Sequence, residues 1–263
     1  MNRGSNTPLP PCRDLREWLR YLENRGKLAV ARPELSLQHE IAAVAKCLER
    51  EKTVLFPAPG SHAIPVVANV LTGRALAAEA LNVPESELLA RFQEAVRNPI
   101  SPVEVDHAPM QEIVHRQVDM TSQLPVPTHN ELDSGPYITA GLLISRNPET
   151  GIQNVSVHRC QVAESDKLTA LLLPRNTLTY MNMAEENGQA LEVAIVIGID
   201  PCTLLASQAI MPLDWDEMAI AGALQGSPVE IVKCLTNDVR VPARAEIVLE
   251  GRILPDVREA DGP

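Results

Sequence analysis

The sequence predicts an α+β fold, an N-terminal α/β layer followed by a β-barrel or sandwich decorated with helices. Two observations predict it and a third bounds it. Over roughly the first hundred residues, apolar stripes at helical spacing alternate with short β-branched runs. After a proline-punctuated stretch the pattern turns to a succession of β-like runs, two of them joined as a hairpin. With 263 residues, 45% hydrophobic and 22% charged, the chain can bury a substantial core in one large domain or two small ones.

The first helix is expected at 15–25. Asp14 can cap it, Glu17 completes a capping box, Gly26 suits its C-terminal stop, and Leu15, Trp18, Leu19 and Leu22 form its apolar stripe. A second helix over 37–50 carries Leu37, Ile41, Val44 and Leu48 at helical spacing. Strands are read at 53–56 and 64–70, and a further helix at 83–96 with Pro84 tolerated in its first turn. Between Asn98 and Pro136, Pro99, Pro102, Pro109, Pro125, Pro127 and Pro136 rule out any long helix. A domain boundary is placed there, near residue 115, giving domains 1–115 and 116–263. Beyond it, runs at 137–146 and 152–162 flank Asn147-Pro-Glu-Thr-Gly151, a hairpin signal. More strands are expected at 168–173, 191–199, 228–235 and 244–250, with helices near 177–187 and 214–225.

Composition removes several functions. With 34 acidic against 23 basic residues the formal net charge is −11, and no Lys/Arg cluster is present, so nucleic acid is not an expected partner. The N-terminal segment has no apolar core of a signal peptide, and the longest apolar run, near 193–199, is too short to cross a bilayer; no membrane partner is expected. Cysteines at 12, 47, 160, 202 and 234 form no C-x-x-C pair, which argues against a disulfide framework or thiolate zinc site and fits a reducing, cytoplasmic location. The six histidines include no H-x-x-x-H pair.

The segment Gly151-Ile-Gln-Asn-Val-Ser-Val-His-Arg-Cys160 alternates like a strand yet carries Asn154, Ser156, His158 and Arg159. Alternation puts Asn154, Ser156 and His158 on one face and Val155, Val157 and Arg159 on the other. Asn154 and Arg159 can serve one ligand only if a bulge or strand end re-aims one of them, or if the ligand wraps the strand. Read alone, this is a half-exposed antiparallel strand. Glu217, three residues after Asp214, reads alone as a helix capping box, and Glu246 and Glu250, sharing a strand face, read as structural.

These motifs fall in an order that carries a resemblance: Asp133-x-Gly-x-Tyr-Ile-Thr, Pro-Glu-Thr-Gly, Asn154-x-Ser-x-x-Arg159, Ile197-Gly-x-Asp-Pro201, Asp216-Glu217-x-x-x-Ala-Gly-Ala-Leu224, Lys233-Cys-x-Thr-Asn-Asp and Val241-Pro-Ala-x-Ala-Glu-Ile-Val-Leu-Glu-Gly251. From about residue 12 to its end the chain resembles the UbiD family of decarboxylases. The resemblance implies a split β-barrel that binds prenylated FMN, with the flavin phosphate held through Mn2+ (or Mg2+) and a nearby K+. It implies flavin contacts from Asn154, Ser156, Val157, Arg159, Arg175, Ser207 and Glu217. Asn154 and Glu217 match two of the family's metal ligands, and oxygen donors of this kind suit a hard cation. The third, a His in the family, falls on Asn176, whose amide oxygen is the weaker donor.

Arg159 matches the family's catalytic Arg, and its always-charged planar fork suits a carboxylate. Asp261 takes the place of the first of two catalytic acids. The second acid and a C-terminal portion of the family pattern lie beyond Ala260-Asp-Gly-Pro263, so the chain is expected to be an incomplete enzyme. The implied activity is reversible non-oxidative decarboxylation of an aromatic, heteroaromatic (for example furan-type) or α,β-unsaturated acid. The implied partners are that small carboxylic acid, a flavin prenyltransferase supplying the cofactor, and further copies of the chain in a homo-oligomer. A truncated or non-catalytic flavin-binding subunit is the alternative. An ordinary flavin reductase on a split barrel fits the architecture but not the ordered motifs.

Overall fold

The computed structural model describes residues 9–259. Its first part follows the sequence closely. Helix α1 (Leu15–Asn24) begins where the Asp14 carboxylate accepts the Glu17 N–H at 2.7 Å, and Glu17 reaches back to the Arg13 N–H at 2.9 Å. It ends at Gly26 in the left-handed region, φ +67°, with the Lys27 N–H returning to the Leu22 carbonyl. Strand β1 (Leu28–Val30), helix α2 (Glu40–Leu48) and strands β2 (Thr53–Phe56) and β3 (Val66–Ala68) follow; β1 pairs parallel and β3 antiparallel with β2. Helix α3 (Gly73–Ala80) packs Leu76 and Ala80 against Trp18 and Leu22 of α1. The helix expected at 83–96 is a 3-10 turn at Glu85–Glu87 running into α4 (Leu88–Arg97).

Strand β4 (Val103–Glu104), ahead of residue 115, pairs in parallel with β9 (Glu230–Lys233) far beyond it. Between them lie the short helix α5 (Met120–Gln123), strands β5 (Tyr137–Arg146), β6 (Gln153–Glu164) and β7 (Lys167–Ala170), helix α6 (Asn176–Glu186), strand β8 (Leu191–Ile197), and helices α7 (Pro201–Ala206) and α8 (Glu217–Gln225). Strands β10 (Arg240–Pro242) and β11 (Ile247–Ile253) complete the order.

The main sheet, in the order β11-β8-β5-β6-β7 and antiparallel throughout, is a curled half-barrel. Period-2 alternation divides it into two buried faces. Leu142, Ile144, Val155, Ala194 and Val196 join a core shared with α7, α8 and the β10-β9-β4 sheet. Leu143, Val193, Ile195 and Cys160 face Tyr180 and Met181 of α6. A Leu, Ile or Val side chain fully withdrawn from water contributes about 1.5–3 kcal/mol, which is why a sheet covered on both faces can hold polar residues at its edge. Arg91 of α4 donates to the Ala223 and Leu224 carbonyls at 2.6 and 3.1 Å, capping the C-terminal end of α8 from the N-terminal half. Cysteines 12, 47, 160, 202 and 234 are free, and among the described residues no helix is long and apolar enough to cross a membrane.

Candidate functional site

The site forms on β6, where the sheet leaves one edge open. Strand β7 pairs with β6 only from Cys160 to Glu164, so the outer edge of β6 before Cys160 has no strand beside it in this sheet. The Val155 N–H points out along that edge and donates to Glu217 Oε2 at 2.8 Å. By alternation the N–H groups of Val157 and Arg159 face the same way.

Glu217 opens α8 and is 3% exposed. Burial pushes its carboxyl up to about 7, and the neighbouring Asp216 adds to the shift. Among the described residues no cationic side chain offsets it. The sequence assigned its capping partner as Asp214; the structure corrects this. Asp216 is the N-cap and accepts the Met218 N–H at 2.9 Å. Asp214, at φ +63°, instead takes hydrogen bonds from Asn147 Nδ2 (2.7 Å), Thr150 Oγ1 (3.0 Å) and the Tyr180 hydroxyl (3.3 Å). It thereby ties the β5–β6 turn, α6 and the loop before α8 into one bracket around the site.

On the face toward α6, Asn154 is 5% exposed and donates through Nδ2 to Ser156 Oγ and to Thr177 Oγ1, both at 3.1 Å. Ser156 Oγ lies 3.0 Å from His158 Nε2, and His158 Nδ1 lies 3.4 Å from the Leu171 carbonyl oxygen. Burial holds the imidazole pKa below its ordinary value. Asn154, Ser156, Thr177 and Glu217 therefore gather amide, hydroxyl and carboxylate groups at one strand edge, around a buried acid with no counter-charge among the described residues. That donor chemistry fits a hard divalent cation. Among the described residues there is no group of three or more His, Cys, Asp and Glu suited to a metal; the predicted set of Asn154, Asn176 and Glu217 holds only one such residue.

Arg159 is exposed on the opposite face, with its guanidinium carbon 5.2 Å from the centre of the Tyr137 ring. A bulge is present here, but on the neighbouring strand. Ile138 pairs with Cys160 and Gly141 with His158, so Thr139 and Ala140 together oppose Arg159. Because the extra residue is in β5, the alternation of β6 continues and Arg159 stays on the other face from Asn154. A ligand touching both must wrap the open edge.

The remaining predicted residues lie on other elements. Asn176 and Arg175 stand at the first helical position and the N-cap of α6, half-buried and exposed, respectively. The hydroxyl that meets Asn154 belongs to Thr177, one residue further on, which the sequence reading passed over. Ser207 is buried at the end of α7, where its hydroxyl donates to the Leu204 carbonyl at 2.8 Å and accepts from Gln208 Nε2 at 3.1 Å. Asp261 lies outside the described residues. Glu246 and Glu250 serve the fold: Glu246 holds Arg16 through two contacts at 2.7 and 2.8 Å, and Glu250 accepts the Leu235 and Thr236 N–H groups at 2.8 and 2.7 Å.

A curled antiparallel half-barrel with an oxygen-donor cluster on its open edge defines a class, and comparison supplies the family. Residues 101–263 match the 3-octaprenyl-4-hydroxybenzoate carboxy-lyase Rift-related domain, and residues 19–96 match the N-terminal domain of the same enzymes. The chain belongs to the UbiD family. It is 39% identical over 244 residues to anhydromevalonate phosphate decarboxylase of Methanothermobacter thermautotrophicus, covering 92% of this chain and 56% of the relative. An evolved dimeric form of the UbiD-class enzyme HmfF from Pelotomaculum thermopropionicum, in complex with prFMN, superposes with a TM-score of 0.93 at 46% identity, over 96% of this chain and 60% of that one. Vanillic acid decarboxylase of Sedimentibacter hydroxybenzoicus in its closed form superposes with a TM-score of 0.91 at 28% identity, over 96% and 57%. The chain thus spans a little over half the length of these relatives.

Proposed function

We propose that this chain is the flavin-binding portion of a non-oxidative decarboxylase acting on an aromatic, heteroaromatic or α,β-unsaturated carboxylic acid, with prenylated FMN as cofactor. The observation that carries this reading is the buried, uncompensated carboxylate of Glu217 beside the Asn154 cluster on the open edge of β6, in a fold shared at 46% identity with a prFMN-bound enzyme. Asn154 and Glu217 would hold Mn2+ or Mg2+ against the flavin phosphate. The third donor belongs to the first turn of α6: Asn176, as the family pattern implies, with the Thr177 hydroxyl beside it. Ser207 is assigned to the phosphate and K+ side, Arg175 to the phosphate, and the Ser156 hydroxyl and the edge N–H of Val157 to the flavin.

When bound, prenylated FMN supplies the electron sink for the carbon that loses CO2. The chain's own residues orient and protonate. Arg159, steadied against Tyr137, holds the substrate carboxylate in a fork of N–H donors. Asp261 is assigned the proton delivered to the carbon left behind. Because the edge of β6 separates the Asn154 face from the Arg159 face, a single ligand served by both residues would have to reach across that edge.

The test is co-expression of the complete protein with a flavin prenyltransferase, an absorbance spectrum of the purified product, and a CO2-release screen over furan-type, hydroxybenzoic and α,β-unsaturated acids. CO2 release from one class, lost by at least about 100-fold in Arg159→Ala with flavin still bound, is the expected result. Undiminished turnover in Arg159→Ala removes the role given to that residue, and a flavin-free, inactive wild type removes the reading.

A further inference from the structure

Resting on the reading of Asn154 as a cation ligand, we infer that His158 is a positioning residue: through Ser156 it fixes which end of the Asn154 amide faces the cation. An amide presents two ends of similar size, and only the carbonyl oxygen binds a metal; the NH2 end repels it. Something must therefore choose between two orientations, and a chain of hydrogen bonds on β6 makes the choice.

The chain begins at a carbonyl. Leu171 O can only accept, so the contact from His158 Nδ1 at 3.4 Å puts the ring proton on Nδ1. Burial of the imidazole disfavours a second proton. Nε2 is then an acceptor, and its partner at 3.0 Å, Ser156 Oγ, must donate. With its single proton committed to the imidazole, Ser156 Oγ can only accept from Asn154 at 3.1 Å, so the Asn154 atom there must be Nδ2. The same nitrogen also donates to Thr177 Oγ1 at 3.1 Å. Among the described residues both hydrogen bonds of the Asn154 side chain therefore use the nitrogen, which leaves Oδ1 to the ligand.

Without His158 the Ser156 hydroxyl is free to donate as well as accept, and Thr177 has the same freedom. Both amide orientations then satisfy the same neighbours, and a share of molecules offers NH2 to the cation. Groups that orient a metal's ligands commonly change affinity by about 10–100-fold when removed. The parity of the strand makes the relay possible: Asn154, Ser156 and His158 are successive residues of one face, each two apart, so one strand carries ligand, relay and anchor.

The experiment measures Mn2+ binding by electron paramagnetic resonance at saturating FMN, using the full protein, with the metal-free melting temperature as a control for folding. His158→Leu and Ser156→Ala should each weaken Mn2+ binding by about 10–100-fold. Their losses should not add in the double variant, because both break one relay. His158→Gln, whose carboxamide can accept from Ser156 and donate to Leu171, should stay within about threefold of wild type. Wild-type Mn2+ affinity in both His158→Leu and Ser156→Ala overturns the inference, as does a loss in His158→Gln equal to that in His158→Leu. If wild type itself binds no Mn2+ with FMN present, the underlying reading of Asn154 and Glu217 fails instead.

Discussion

Asp200 shows how a single carboxylate couples stability to pH in this fold. It caps α7, accepting the Thr203 N–H at 2.9 Å and the Thr203 hydroxyl at 2.6 Å, and full burial pushes its pKa up to about 6. The folded chain therefore holds a proton that the unfolded chain releases nearer pH 4, so the contribution of Asp200 to stability falls as pH rises from about 4 to about 6. Asn at this position can still cap the helix without titrating. In urea unfolding, wild type should lose stability relative to Asp200→Asn by about 2–3 kcal/mol between pH 4 and 7; parallel stability curves for the two proteins would contradict this. At the same scale the sequence was partly legible. Asn154, Arg159 and Glu217 stood out because the ordered motifs mark them, whereas Thr177 did not. A count along the chain reaches Asn176, but which side chain of a helix's first turn meets a neighbouring strand depends on how the helix docks. His158 was opaque for a similar reason: its anchor is a backbone carbonyl, which no residue type reveals.

Elements whose causes are local were read well. The β5–β6 hairpin, α1 and β2 each carry their turn, cap or alternation within their own residues, and their observed bounds differ from the expected ones by at most two residues. Elements held by distant partners were missed. Strand β4 is two residues long and exists because β9 pairs with it. Helix α3 has no side-chain cap bond and gains its place by packing on α1. Helix α7 was missed although Asp200-Pro201 is a start signal, because the apolar run before it reads as a continuing strand. The start of the proline-rich segment lies closely against α8. The Ile100 N–H donates to the Ala219 carbonyl at 2.9 Å, and a Cβ on Gly222 would sit 2.5 Å from the Ile100 carbonyl oxygen. Gly222→Ala must therefore push the segment off the helix whose first residue is Glu217. Chemical unfolding should show a loss of about 1–3 kcal/mol, and a variant as stable as wild type would show that the contact yields freely.

At the scale of the whole molecule, a sheet packed on both faces leaves part of β6 without a neighbouring strand, and the proposed site lies on that edge. Cores on either side fix β6 between α6 and α8. The Asp214 bracket ties α6, which carries Thr177, and the β5–β6 turn to the loop just before α8, which Glu217 opens, and α4 caps the far end of α8 from the N-terminal half. Fold class and family followed from the sequence because both rest on patterns spread over the whole chain. The face on which Arg159 leaves the strand followed too, because the bulge lies in β5 and leaves the alternation of β6 intact. The central proposal is that Glu217, buried with no counter-charge among the described residues, would hold a divalent cation for the flavin phosphate. FMN titration followed by quenching of its fluorescence, with and without Mn2+, tests it in wild type and Glu217→Gln. Mn2+ should tighten FMN binding to wild type by at least about tenfold and leave Glu217→Gln unaffected. Equal FMN affinity with and without Mn2+ in wild type would contradict the account.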